Sequence, residues 1–547
     1  MKKSKYIFVV GGVMSGVGKG ITTASISKIL EGRGFRVSPI KIDPYLNVDA
    51  GTMNPIEHGE VFVLDSGLEC DQDMGNYERF LGRALPPENY MTNGMVFKHV
   101  IDKERALGYG GKCVEPVFHI TEEILRRVDE AVKKTKPDVS IIEIGGTIGE
   151  YQNAIFIEAA RILKLRHPED VLFVMVSYLP IPGKIGEMKT KPTQTAIRTL
   201  NSYGVHPDII IARSEVPIDE KRKEKIAESN GVKKEHVISA PDIESIYDVP
   251  VNFEEDGLGN LVLKLFGIKP KKKDLADWRR MLKRVHGAKK EIKIAVVGKY
   301  FKTGDFVLSD VYISVIESLK HASYALNKKP VIEWVDSETY EKNPKKLKDL
   351  ENYDGVLIPG GFGSRGVEGI ISAIRYAREH KIPFFGLCYG MQLMVVEYAR
   401  NVASLKDAHS VEVKPKTKYP VIDIMPEQKE LIKNGHMGGT MRLGGYPAKL
   451  KKDTIAYGAY KANNIRERHR HRYEVNPEYI ILLEDKGLVF SGTSPDGRLM
   501  EIAELSKKEH PFFLGTQFHP EFQTSPTNPH PLFLEFIEAC TKQQKKK

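Results

Sequence analysis

Cysteine is scarce in this sequence of 547 residues. The only four cysteines lie far apart and form no CxxC pair: Cys70, Cys113, Cys388 and Cys540. This spacing argues against a disulfide framework and against a cysteine-rich zinc site. It is typical of a reducing compartment, so we expect a cytoplasmic protein in which at least one thiol acts as a nucleophile.

Long apolar runs, internal repeats and low-complexity segments are also missing. Because no stretch of about 18 apolar residues is present, a transmembrane helix is not expected. The opening residues MKKSKYIFVVGG combine lysines with an apolar run of only five residues that ends in glycines. This pattern predicts a first β-strand rather than a signal peptide, and no membrane partner is expected.

The positive charge is concentrated rather than spread over the chain. Of the net charge of +10, residues 269–290 contribute ten Lys or Arg and two Asp, and the tail TKQQKKK adds four lysines. Aromatic residues do not alternate with these basic residues as they do on a surface that stacks bases. We therefore predict a solvated linker and tail, and no nucleic-acid partner.

Two α/β patterns flank the basic segment. Continuous apolar runs rich in β-branched residues occupy residues 6–12, 37–43, 139–146, 171–179, 208–214, 291–300, 353–361 and 382–390. Such runs suit parallel sheets that are buried on both faces. The sequence predicts an α/β protein with two doubly wound domains, residues 1–268 and 291–547, joined by a basic linker at 269–290.

A glycine-rich loop, VGGVMSGVGKG at residues 10–20, follows the first apolar run and precedes a helical pattern. Backbone N–H groups and the positive end of a helix favour phosphate in such a loop, and Lys19 would reach the terminal phosphates. The loop is unusual because five residues separate Gly12 from Gly18, and Gly20 stands where Ser or Thr normally holds Mg²⁺. A tight turn that binds nothing is the alternative.

Without that Ser or Thr, Mg²⁺ needs carboxylate ligands from elsewhere in the chain. Glu143 lies within an apolar strand, where an ionised acid is costly unless it is paired or bound to metal. Asp73 lies in an acidic loop with Glu69 and Asp71. We predict a Mg²⁺ site at Asp73 and Glu143, with a buried salt bridge and a solvated loop as the respective alternatives.

Three lysines could let the first domain bind a second polyphosphate besides the one at the glycine loop. Lys189 and Lys191 alternate with Thr190 just before a proline that begins a helical pattern, and Lys41 ends the second predicted strand. Ammonium groups near a helix N-terminus favour a phosphate chain. A pair of surface charges is the alternative.

The second domain contains the elements of a cysteine hydrolase. Cys388 lies between a predicted strand and a helix in FFGLCYGMQ, where it would be exposed at the sheet edge and the helix N-terminus would favour the thiolate. His519 and Glu521 in QFHPE share one face of a strand, so His519 could accept the thiol proton and Glu521 could orient the imidazole. The glycines of residues 360–366 could offer an oxyanion hole. An isolated Cys and His in the core are the alternative.

The run HRHRYE at residues 469–474 places two histidines among arginines. His469 and His471 could suggest a metal site, but Arg468, Arg470 and Arg472 would repel a cation. We expect arginine recognition of a carboxylate or phosphate instead.

Together these motifs resemble the CTP synthase family, whose members aminate UTP with nitrogen from glutamine. The resemblance covers almost the whole chain in the family's order: SGVGKGI, KIDPYLNVDAGTMNPIEHGEVFVLDSG, the Asp73 loop, EIGGTIG, KTKPTQ, PGGFGSRG, GLCYGMQ, GGTMRLG, ERHRHRYEVN and QFHPEF. It implies a P-loop-type synthetase domain followed by a class I glutamine amidotransferase domain.

The resemblance also implies roles for individual residues. Cys388, His519 and Glu521 would form the glutaminase triad, and Asp73 and Glu143 would bind Mg²⁺. ATP would be bound by Gly16, Val17, Gly18, Lys19, Gly20, Ile21, Asp73, Pro241, Asp242 and Ile243. UTP and CTP would be bound by Ser15, Glu150, Tyr151, Gln152, Lys189, Thr190, Lys191, Pro192, Thr193, Gln194 and Lys225. Glutamine would be bound by Gly361, Tyr389, Gly390, Met391, Gln392, Glu412 and Arg472.

The chain departs from the family's pattern at two places in the pyrimidine site. Glu150, Tyr151 and Gln152 replace the usual acidic–apolar–acidic triplet. Thr195 follows KTKPTQ, where the family often has histidine.

The implied reaction has three steps. ATP would phosphorylate O4 of UTP, Cys388 would release ammonia from glutamine through a thioester, and the ammonia, shielded from bulk water, would displace phosphate at C4. Inhibition by CTP, activation by GTP and a homotetramer are expected. Two alternatives are a related synthetase that aminates another acceptor, such as a cobyrinate-type enzyme, and a P-loop partition or filament protein with a vestigial amidotransferase domain.

Overall fold

The computed structural model describes residues 4–183, 186–271, 275–299, 302–303, 306–307, 309–425, 428 and 439–545. The chain divides into two compact units. The first unit consists of Met1–Ala50 and Asp73–Leu282, and the second consists of Gly51–Gln72 and Lys283–Lys547.

The strands are numbered in chain order. They are β1 Lys5–Gly12, β2 Val37–Asp43, β3 Val61–Val63, β4 Glu69–Asp71, β5 Tyr90–Thr92, β6 Val139–Ile144, β7 Val171–Tyr178, β8 Ile209–Ser214, β9 Val237–Pro241, β10 Lys290–Gly298, β11 Lys302–Thr303, β12 Phe306–Val307, β13 Lys328–Asp336, β14 Gly355–Ile358, β15 Phe384–Leu387, β16 Ala408–Ser410, β17 Tyr419–Ile424, β18 Arg442–Leu450, β19 Asn464–His471, β20 Tyr473–Val475, β21 Val489–Thr493, β22 Met500–Glu504 and β23 Phe513–Thr516.

The α-helices alternate with these strands. They span Lys19–Gly32, Pro55–His58, Gln72–Leu81, Asn93–Arg105, Thr121–Thr135, Tyr151–Arg166, Lys191–Ser202, Glu220–Asn230, Val249–Glu255, Leu258–Leu265, Ala276–Gly287, Ile313–Ala325, Glu338–Lys342, Val367–Glu379, Tyr389–Asn401, Ile455–Tyr460, Ile480–Asp485 and Pro531–Gln544. None of the helices in the described ranges is long and apolar enough to cross a membrane.

The first unit is built on a seven-stranded sheet in the order β5-β2-β6-β1-β7-β8-β9, in which all neighbouring strands are parallel. Its central strands are buried along their length, as the continuous apolar runs predict. Since parallel strands end at the same sheet edge, the loops after β1, β2 and β6 lie together there.

The second unit is built on a nine-stranded sheet in the order β13-β10-β14-β15-β23-β22-β21-β18-β19. The strands from β13 to β23 run parallel to one another, and each pair from β23–β22 to β18–β19 is antiparallel. The predicted runs at 291–300, 353–361 and 382–390 correspond to β10, β14 and β15. The α/β class and both sheets are therefore confirmed. The antiparallel strands β22, β21, β18 and β19 were not predicted, because no apolar run in the sequence indicated them.

Residues 51–72 lie in the predicted first domain by sequence but pack within the second unit. Strands β3 and β4 form an antiparallel hairpin there. The guanidinium of Arg466 contacts both carboxylate oxygens of Asp65, and Arg470 Nε lies 2.7 Å from Glu69 Oε1. The two compact units thus differ from the predicted division in this segment, residues 51–72, which we call the strap.

The predicted linker at 269–290 is partly structured. Helix Ala276–Gly287 buries the indole of Trp278, whose Nε1 donates to the Tyr247 carbonyl at 2.8 Å. The expectation of a solvated segment throughout is therefore corrected, because one helix face joins the core. Residues 272–274 of this segment lie outside the described residues.

Candidate active sites in the two units

The glycine loop after β1 has the backbone that its sequence predicts. Gly16 and Gly18 have φ values of 71° and 88°, which glycine adopts without steric cost, and Gly18 directly precedes helix Lys19–Gly32. Lys19 is buried, and its Nζ donates to the Gly146 carbonyl at 2.9 Å. Val17 is buried in the same loop, whereas Ser15 and Gly16 are exposed.

The structure shows why glycine, rather than Ser or Thr, follows Lys19 at position 20. A Cβ atom built at Gly20 would lie 1.9 Å from Asp73 Oδ1, so any larger residue would displace that carboxylate. The glycine therefore lets Asp73 approach the start of the helix, where a standard loop would place its own hydroxyl. The two unusual features of the sequence, Gly20 and the acidic residue at 73, are parts of one arrangement.

Three carboxylates converge on the ammonium of Lys41. Lys41 Nζ lies 2.5 Å from Asp73 Oδ2, 2.9 Å from Glu143 Oε1 and 3.5 Å from Asp43 Oδ1. The buried salt bridge that was the alternative for Glu143 is thus present. Burial, followed by the charge of Asp73, raises the pKa of Glu143. Burial acts in the same direction on Asp73, but Lys41 outweighs it and lowers the pKa of that carboxyl.

Asp43 and Tyr77 are members of this cluster that the sequence did not predict. Burial raises the pKa of Asp43 against the opposing charge of Lys41. The Tyr77 hydroxyl donates to Glu143. Asp43 is the last residue of β2, in KIDPY, and its position at the sheet edge could have identified it as a site residue. No feature of the sequence identifies Tyr77 as one.

The donor chemistry of the cluster suits Mg²⁺ without enclosing it. In the described part of the chain, no group of three or more His, Cys, Asp and Glu side chains could hold a metal. Asp73 and Glu143 supply the hard oxygens that Mg²⁺ prefers, and this ion usually takes only one or two carboxylates and completes its shell with phosphate oxygens and water. The pair therefore fits a Mg²⁺ that arrives with a nucleotide.

One cavity of the first unit joins the loop to residues more than 200 positions away. It is lined by Gly18 and Ile21 on one side and by Pro241, Asp242 and Ile243 on the other. The structure thus brings together the two halves of the predicted ATP site. Its lining also includes Arg213, which donates to Asp242 Oδ1 at 2.8 Å, and Phe253. The sequence missed both of these residues.

A second cavity of the first unit is basic. Its lining includes Lys189, Thr190, Lys191, Pro192 and Lys225, five of the predicted pyrimidine-site residues, together with Lys221 and Arg222, which were not predicted. The charges are partly balanced there, because Lys189 Nζ lies 2.6 Å from Glu187.

The other predicted pyrimidine-site residues are not among those lining this cavity. Thr193 and Gln194 point into the fold, where the Ser177 hydroxyl donates to Thr193 Oγ1 at 2.8 Å. Ser15 and Tyr151 are exposed, the latter to 98 %, and Gln152 donates to Glu150 at 2.7 Å. The structure therefore groups only part of this predicted set.

The candidate nucleophile lies at a strained turn in the second unit. Cys388 connects β15 to helix Tyr389–Asn401 with φ 48° and ψ −95°, a conformation that non-glycine residues rarely adopt. The elbow is as predicted, but the side chain is only 5 % exposed, so the expectation of an exposed thiol is corrected. Access to the sulfur comes through a cavity.

His519 and Glu521 are positioned as a base and its orienting group. His519 Nδ1 lies 2.7 Å from Glu521 Oε1 in a buried ion pair. Burial lowers the pKa of His519, but the charges of Glu521 and Cys388 together outweigh burial and raise it to about 10. The imidazole is therefore ready to hold the proton that Cys388 gives up.

The triad opens into a cavity of the second unit. Cys388, His519 and Glu521 line it together with Gly361, Phe362 and Arg470. The strap forms part of its wall through Asn54, Pro55, Glu60 and Val61, which the sequence did not predict for this site. The cavity brings Gly361, one of the predicted glutamine-binding residues, to the nucleophile.

Two more of the predicted glutamine-binding residues contact the glycine loop whose Gly360 and Gly361 line that cavity. Glu412 accepts from Gly363 N at 2.8 Å, and the Tyr389 hydroxyl donates to the Gly363 carbonyl at 2.7 Å. Lys299, which was not predicted, donates to the same carbonyl at 2.6 Å, and burial lowers its pKa to about 8. These contacts hold the glycine loop beside Cys388.

Helix Tyr389–Asn401 and the arginine motif supply the other four predicted residues. Gly390 and Met391 are buried in packing contacts, and a Cβ at Gly390 would lie 2.5 Å from the Ile358 carbonyl. Arg472 donates to Gln428 Oε1 at 2.6 Å. Gln392 donates to the Tyr473 carbonyl at 3.1 Å.

The HRHRYE motif is structural in large part. His469 and His471 are buried, with 3.0 Å between Nδ1 of the first and Nε2 of the second, and burial and Arg442 lower the pKa of both rings well below the usual value. Arg468 donates to the Val63 carbonyl at 3.0 Å. Arg470 pairs with Glu69, so the carboxylate that it recognises belongs to the protein itself.

Comparison with known proteins covers both units. Residues 5–268 match the family model of the CTP synthase N-terminus, and residues 307–539 match that of glutamine amidotransferase class I. CTP synthase of Pyrococcus abyssi is 49% identical over 546 residues, covering 100% of this chain and 99% of that protein. CTP synthase of Carboxydothermus hydrogenoformans is 51% identical over 543 residues, covering 99% of each.

A solved structure is similar to the second unit in sequence. The glutaminase domain of Trypanosoma brucei CTPS with bound acivicin is 38% identical, covers 46% of this chain and 94% of that chain, and has a TM-score of 0.42.

Proposed function

The chain belongs to the CTP synthase family, and from that premise we propose how its two units make CTP. It is a carbon–nitrogen ligase that aminates UTP to CTP with ATP and with glutamine as the nitrogen donor. The full-length match and the presence of both domains disfavour a partition or filament protein with a vestigial amidotransferase domain. The observation that carries the mechanism is the buried Cys388–His519–Glu521 arrangement in the same chain as the glycine loop and its carboxylates.

Cys388 is the nucleophile of the glutaminase half-reaction. His519 takes the thiol proton, and the thiolate attacks the side-chain amide carbon of glutamine. Backbone N–H groups of the glycine loop at 360–366 stabilise the oxyanion. His519 then gives its proton to the departing ammonia, and water hydrolyses the thioester to glutamate. Glu521 keeps the imidazole oriented and stabilises its positive charge.

The glutamine substrate is held by the residues around this cavity. We assign it to Gly361, Tyr389, Gly390, Met391, Gln392, Glu412 and Arg472, of which Arg472 would bind the α-carboxylate. The support is that Gly361 lines the triad cavity, that Tyr389 and Glu412 contact the nearby Gly363, and that Gln392 has a buried Oε1 atom with no hydrogen-bond partner in the described structure. Such an atom is satisfied when a donor from a ligand arrives.

The first unit activates UTP. We propose that the loop from Gly16 to Ile21 holds the ATP phosphates, with Lys19 stabilising the transferred phosphoryl group, and that Pro241, Asp242 and Ile243 lie at the adenine end. O4 of UTP becomes phosphorylated, which turns a poor leaving group into phosphate. Ammonia that is kept unprotonated then displaces the phosphate at C4.

Asp73 and Glu143 would hold Mg²⁺ in this unit. Bound there with ATP, the ion would neutralise charge on the phosphates. Asp73, from helix Gln72–Leu81, lies against Gly20 at the start of the helix that Lys19 begins, so the carboxylate and the ammonium face the same helix N-terminus. Lys41 pairs with both carboxylates and holds them close together, and it lowers the pKa of Asp73.

UTP is proposed to occupy the basic cavity. Lys189, Lys191 and Lys225 offer ammonium groups to its triphosphate, and Thr190 and Pro192 line the same space. Ser15, Glu150, Tyr151, Gln152, Thr193 and Gln194 are carried over from the family as contacts to UTP or to inhibitory CTP. Activation by GTP is carried over in the same way.

We also propose a cytoplasmic homotetramer. The tetramer is carried over from the family, and several large apolar side chains that are exposed on the first unit are available to an interface: Leu107, Val117, Phe118, Tyr151 and Leu165. Sedimentation of the purified chain would test it, since a monomer at working concentration contradicts the proposal. The free thiols of all four cysteines support the cytoplasm.

The acceptor of the amino group provides the direct test of the proposed function. Incubation with ATP, Mg²⁺, glutamine and UTP should give CTP, ADP, phosphate and glutamate in equal amounts. Turnover of ATP and glutamine with another carbonyl or carboxylate acceptor, and none with UTP, would favour the cobyrinate-type alternative instead.

A further inference from the structure

Gln517 is a buried polar residue next to the nucleophile that the mechanism above does not use. It follows β23, two residues before His519, and its side chain is fully buried. Its Nε2 donates to Cys388 Sγ at 3.6 Å, a normal length for a hydrogen bond to sulfur. An amide that is buried against a reacting atom has a role either in folding or in the reaction.

Neighbouring groups fix which end of this amide faces the sulfur. Gln392 Nε2 lies 3.1 Å from the Tyr473 carbonyl and 3.4 Å from Gln517 Oε1. A backbone carbonyl only accepts hydrogen bonds, so Gln392 must direct its NH₂ group towards it. The NH₂ group of Gln392 also faces the Gln517 amide, so the oxygen of that amide must point towards Gln392 to accept its hydrogen bond. Gln517 is left with its NH₂ group towards Cys388.

The sulfur therefore meets one acceptor and one donor from the protein. The carbonyl of Arg470 lies 3.8 Å from Cys388 Sγ and accepts from the thiol. That acceptor favours the protonated form, whereas the Gln517 donor favours the charged form. When His519 takes the proton, the contact to Arg470 loses its hydrogen, and the contact to Gln517 becomes a charge-assisted hydrogen bond.

We propose that Gln517 is a catalytic residue of the glutaminase half-reaction, the hydrogen-bond donor that stabilises the Cys388 thiolate, and that Gln392 orients its amide. The inference rests on the proposed function for the reaction that the thiolate carries out. The proton moves from Sγ to the His519 ring, and Gln517 loses no proton and forms no covalent bond. The backbone N–H of Gln517 donates to the Glu501 carbonyl at 2.8 Å, so the chain path after β23 does not depend on this side chain.

The test is the pH profile of Cys388 alkylation in the full chain without glutamine. Iodoacetamide reacts with the thiolate, and mass mapping separates Cys388 from exposed Cys113. Gln517→Glu keeps the size and replaces the donor with an acceptor. We expect alkylation at pH 7 to slow by about tenfold and the profile to move to higher pH. A profile that superimposes on that of the parent overturns the proposal.

Two further variants separate chemistry from folding. Gln523→Glu makes the same chemical change six residues away, where the amide donates to the Arg466 carbonyl, and should leave the profile unchanged. Gln517→Met is similar in size and has no donor, so it should move the profile in the same direction by a smaller amount. If Gln517→Glu does not fold, an unchanged profile in Gln517→Met overturns the proposal. If Cys388 alkylation depends on Gln517 as expected but the parent protein does not hydrolyse glutamine, the proposed function is contradicted and the role of Gln517 towards the thiolate still holds.

Discussion

The two sites of this molecule handle charge in opposite ways. In the first unit, Asp43, Asp73 and Glu143 already surround the ammonium of Lys41, which lowers the pKa of Asp73 although burial raises the pKa of Asp43 and of Glu143. In the second unit, the reactive charges arise when a proton moves from Cys388 to His519. A site for phosphoryl transfer needs fixed electrostatics, whereas a site for covalent catalysis needs a nucleophile that forms on demand.

The two sites also differ in where the strained backbone lies. In the second unit the nucleophile Cys388 itself has a positive φ, whereas in the first unit the glycine loop has positive φ values at Val13, Gly16 and Gly18. Glycine adopts that region freely, whereas cysteine and valine do so at a cost of about 1–3 kcal/mol. The fold of the second unit therefore supports a strained nucleophile, and in the loop of the first unit the strained residue is Val13, which precedes Lys19.

The largest expected effect comes from removing the nucleophile. Cys388→Ala should lower glutamine-dependent CTP synthesis by more than about 10³-fold, because no other group can form the thioester. Synthesis from added ammonium chloride should stay within about twofold of the parent, since the first unit keeps its charges. CTP formation followed by chromatography gives both rates. Loss of both activities would show that the two sites do not work independently.

The reciprocal change should break the first site alone. Asp73→Ala or Glu143→Ala should lower CTP synthesis from either nitrogen source by about 10³-fold, because the proposed Mg²⁺ ligands and the partners of Lys41 are lost. Basal release of glutamate should continue. Asp102→Ala, which removes an exposed carboxylate 2.7 Å from Lys98 on a surface helix, is the matched control. Normal CTP synthesis in both site variants would assign the metal to other residues.

Glu521→Gln should affect the second site through the charge of His519. The pKa of about 10 depends on Glu521 as well as Cys388, so the substitution should lower the pKa of His519. The alkaline limb of the glutaminase pH profile should move to lower pH, and kcat should fall by about 10²-fold. The exposed Glu509→Gln provides the control. An unmoved alkaline limb would assign that limb to another group.

The raised pKa of His519 should also make the stability of the protein depend on pH. Because the pKa of His519 is raised on folding, its contribution is fully present below about pH 6.5 and is lost as pH rises through about 10. The free energy of unfolding of the parent should therefore fall over this range more steeply than that of Glu521→Gln. Denaturant titrations at pH 6 and pH 10 would measure the difference, and equal slopes would contradict the assignment.

The smallest expected effect concerns substrate binding in the basic cavity. Lys225→Ala removes one exposed ammonium and should raise the KM for UTP by about tenfold, with little change in the KM for glutamine. Lys234→Ala is a control, because this lysine pairs with Glu224 on the surface. A change in both KM values would mean that the variant alters the fold rather than the proposed UTP site.

Local patterns in the sequence predicted the local parts of these sites. The loop, the helix that starts at Lys19 and the elbow at Cys388 each depend on consecutive residues, and all three are present. The position of Glu143 beside Lys41 depends on the pairing of β2 with β6, which joins residues about 100 positions apart. No local pattern contains that information, so Lys41 was expected at the sheet edge without its three partners.

The antiparallel half of the second sheet shows the same limit. Strand β19 reads NIRERHRH, which has neither an apolar run nor simple alternation. It is extended because β18 pairs with it and because the strap supplies Asp65 and Glu69 to its arginines. Asp65 and Glu69 lie about 400 positions earlier in the chain than the arginines they pair with. The contribution of the strap to the triad cavity therefore could not be predicted from the sequence of the strap or of β19 alone.

The central claim is that nitrogen released at Cys388 reaches C4 of UTP in the first unit. The most direct measurement is CTP synthesis with glutamine labelled with ¹⁵N at the side-chain amide, in the presence of unlabelled ammonium and with Mg²⁺, ATP and UTP. We expect ¹⁵N in the 4-amino group of CTP, with one ADP and one glutamate formed per CTP. Glutamate formation with no CTP, or CTP that carries only unlabelled nitrogen, would contradict it.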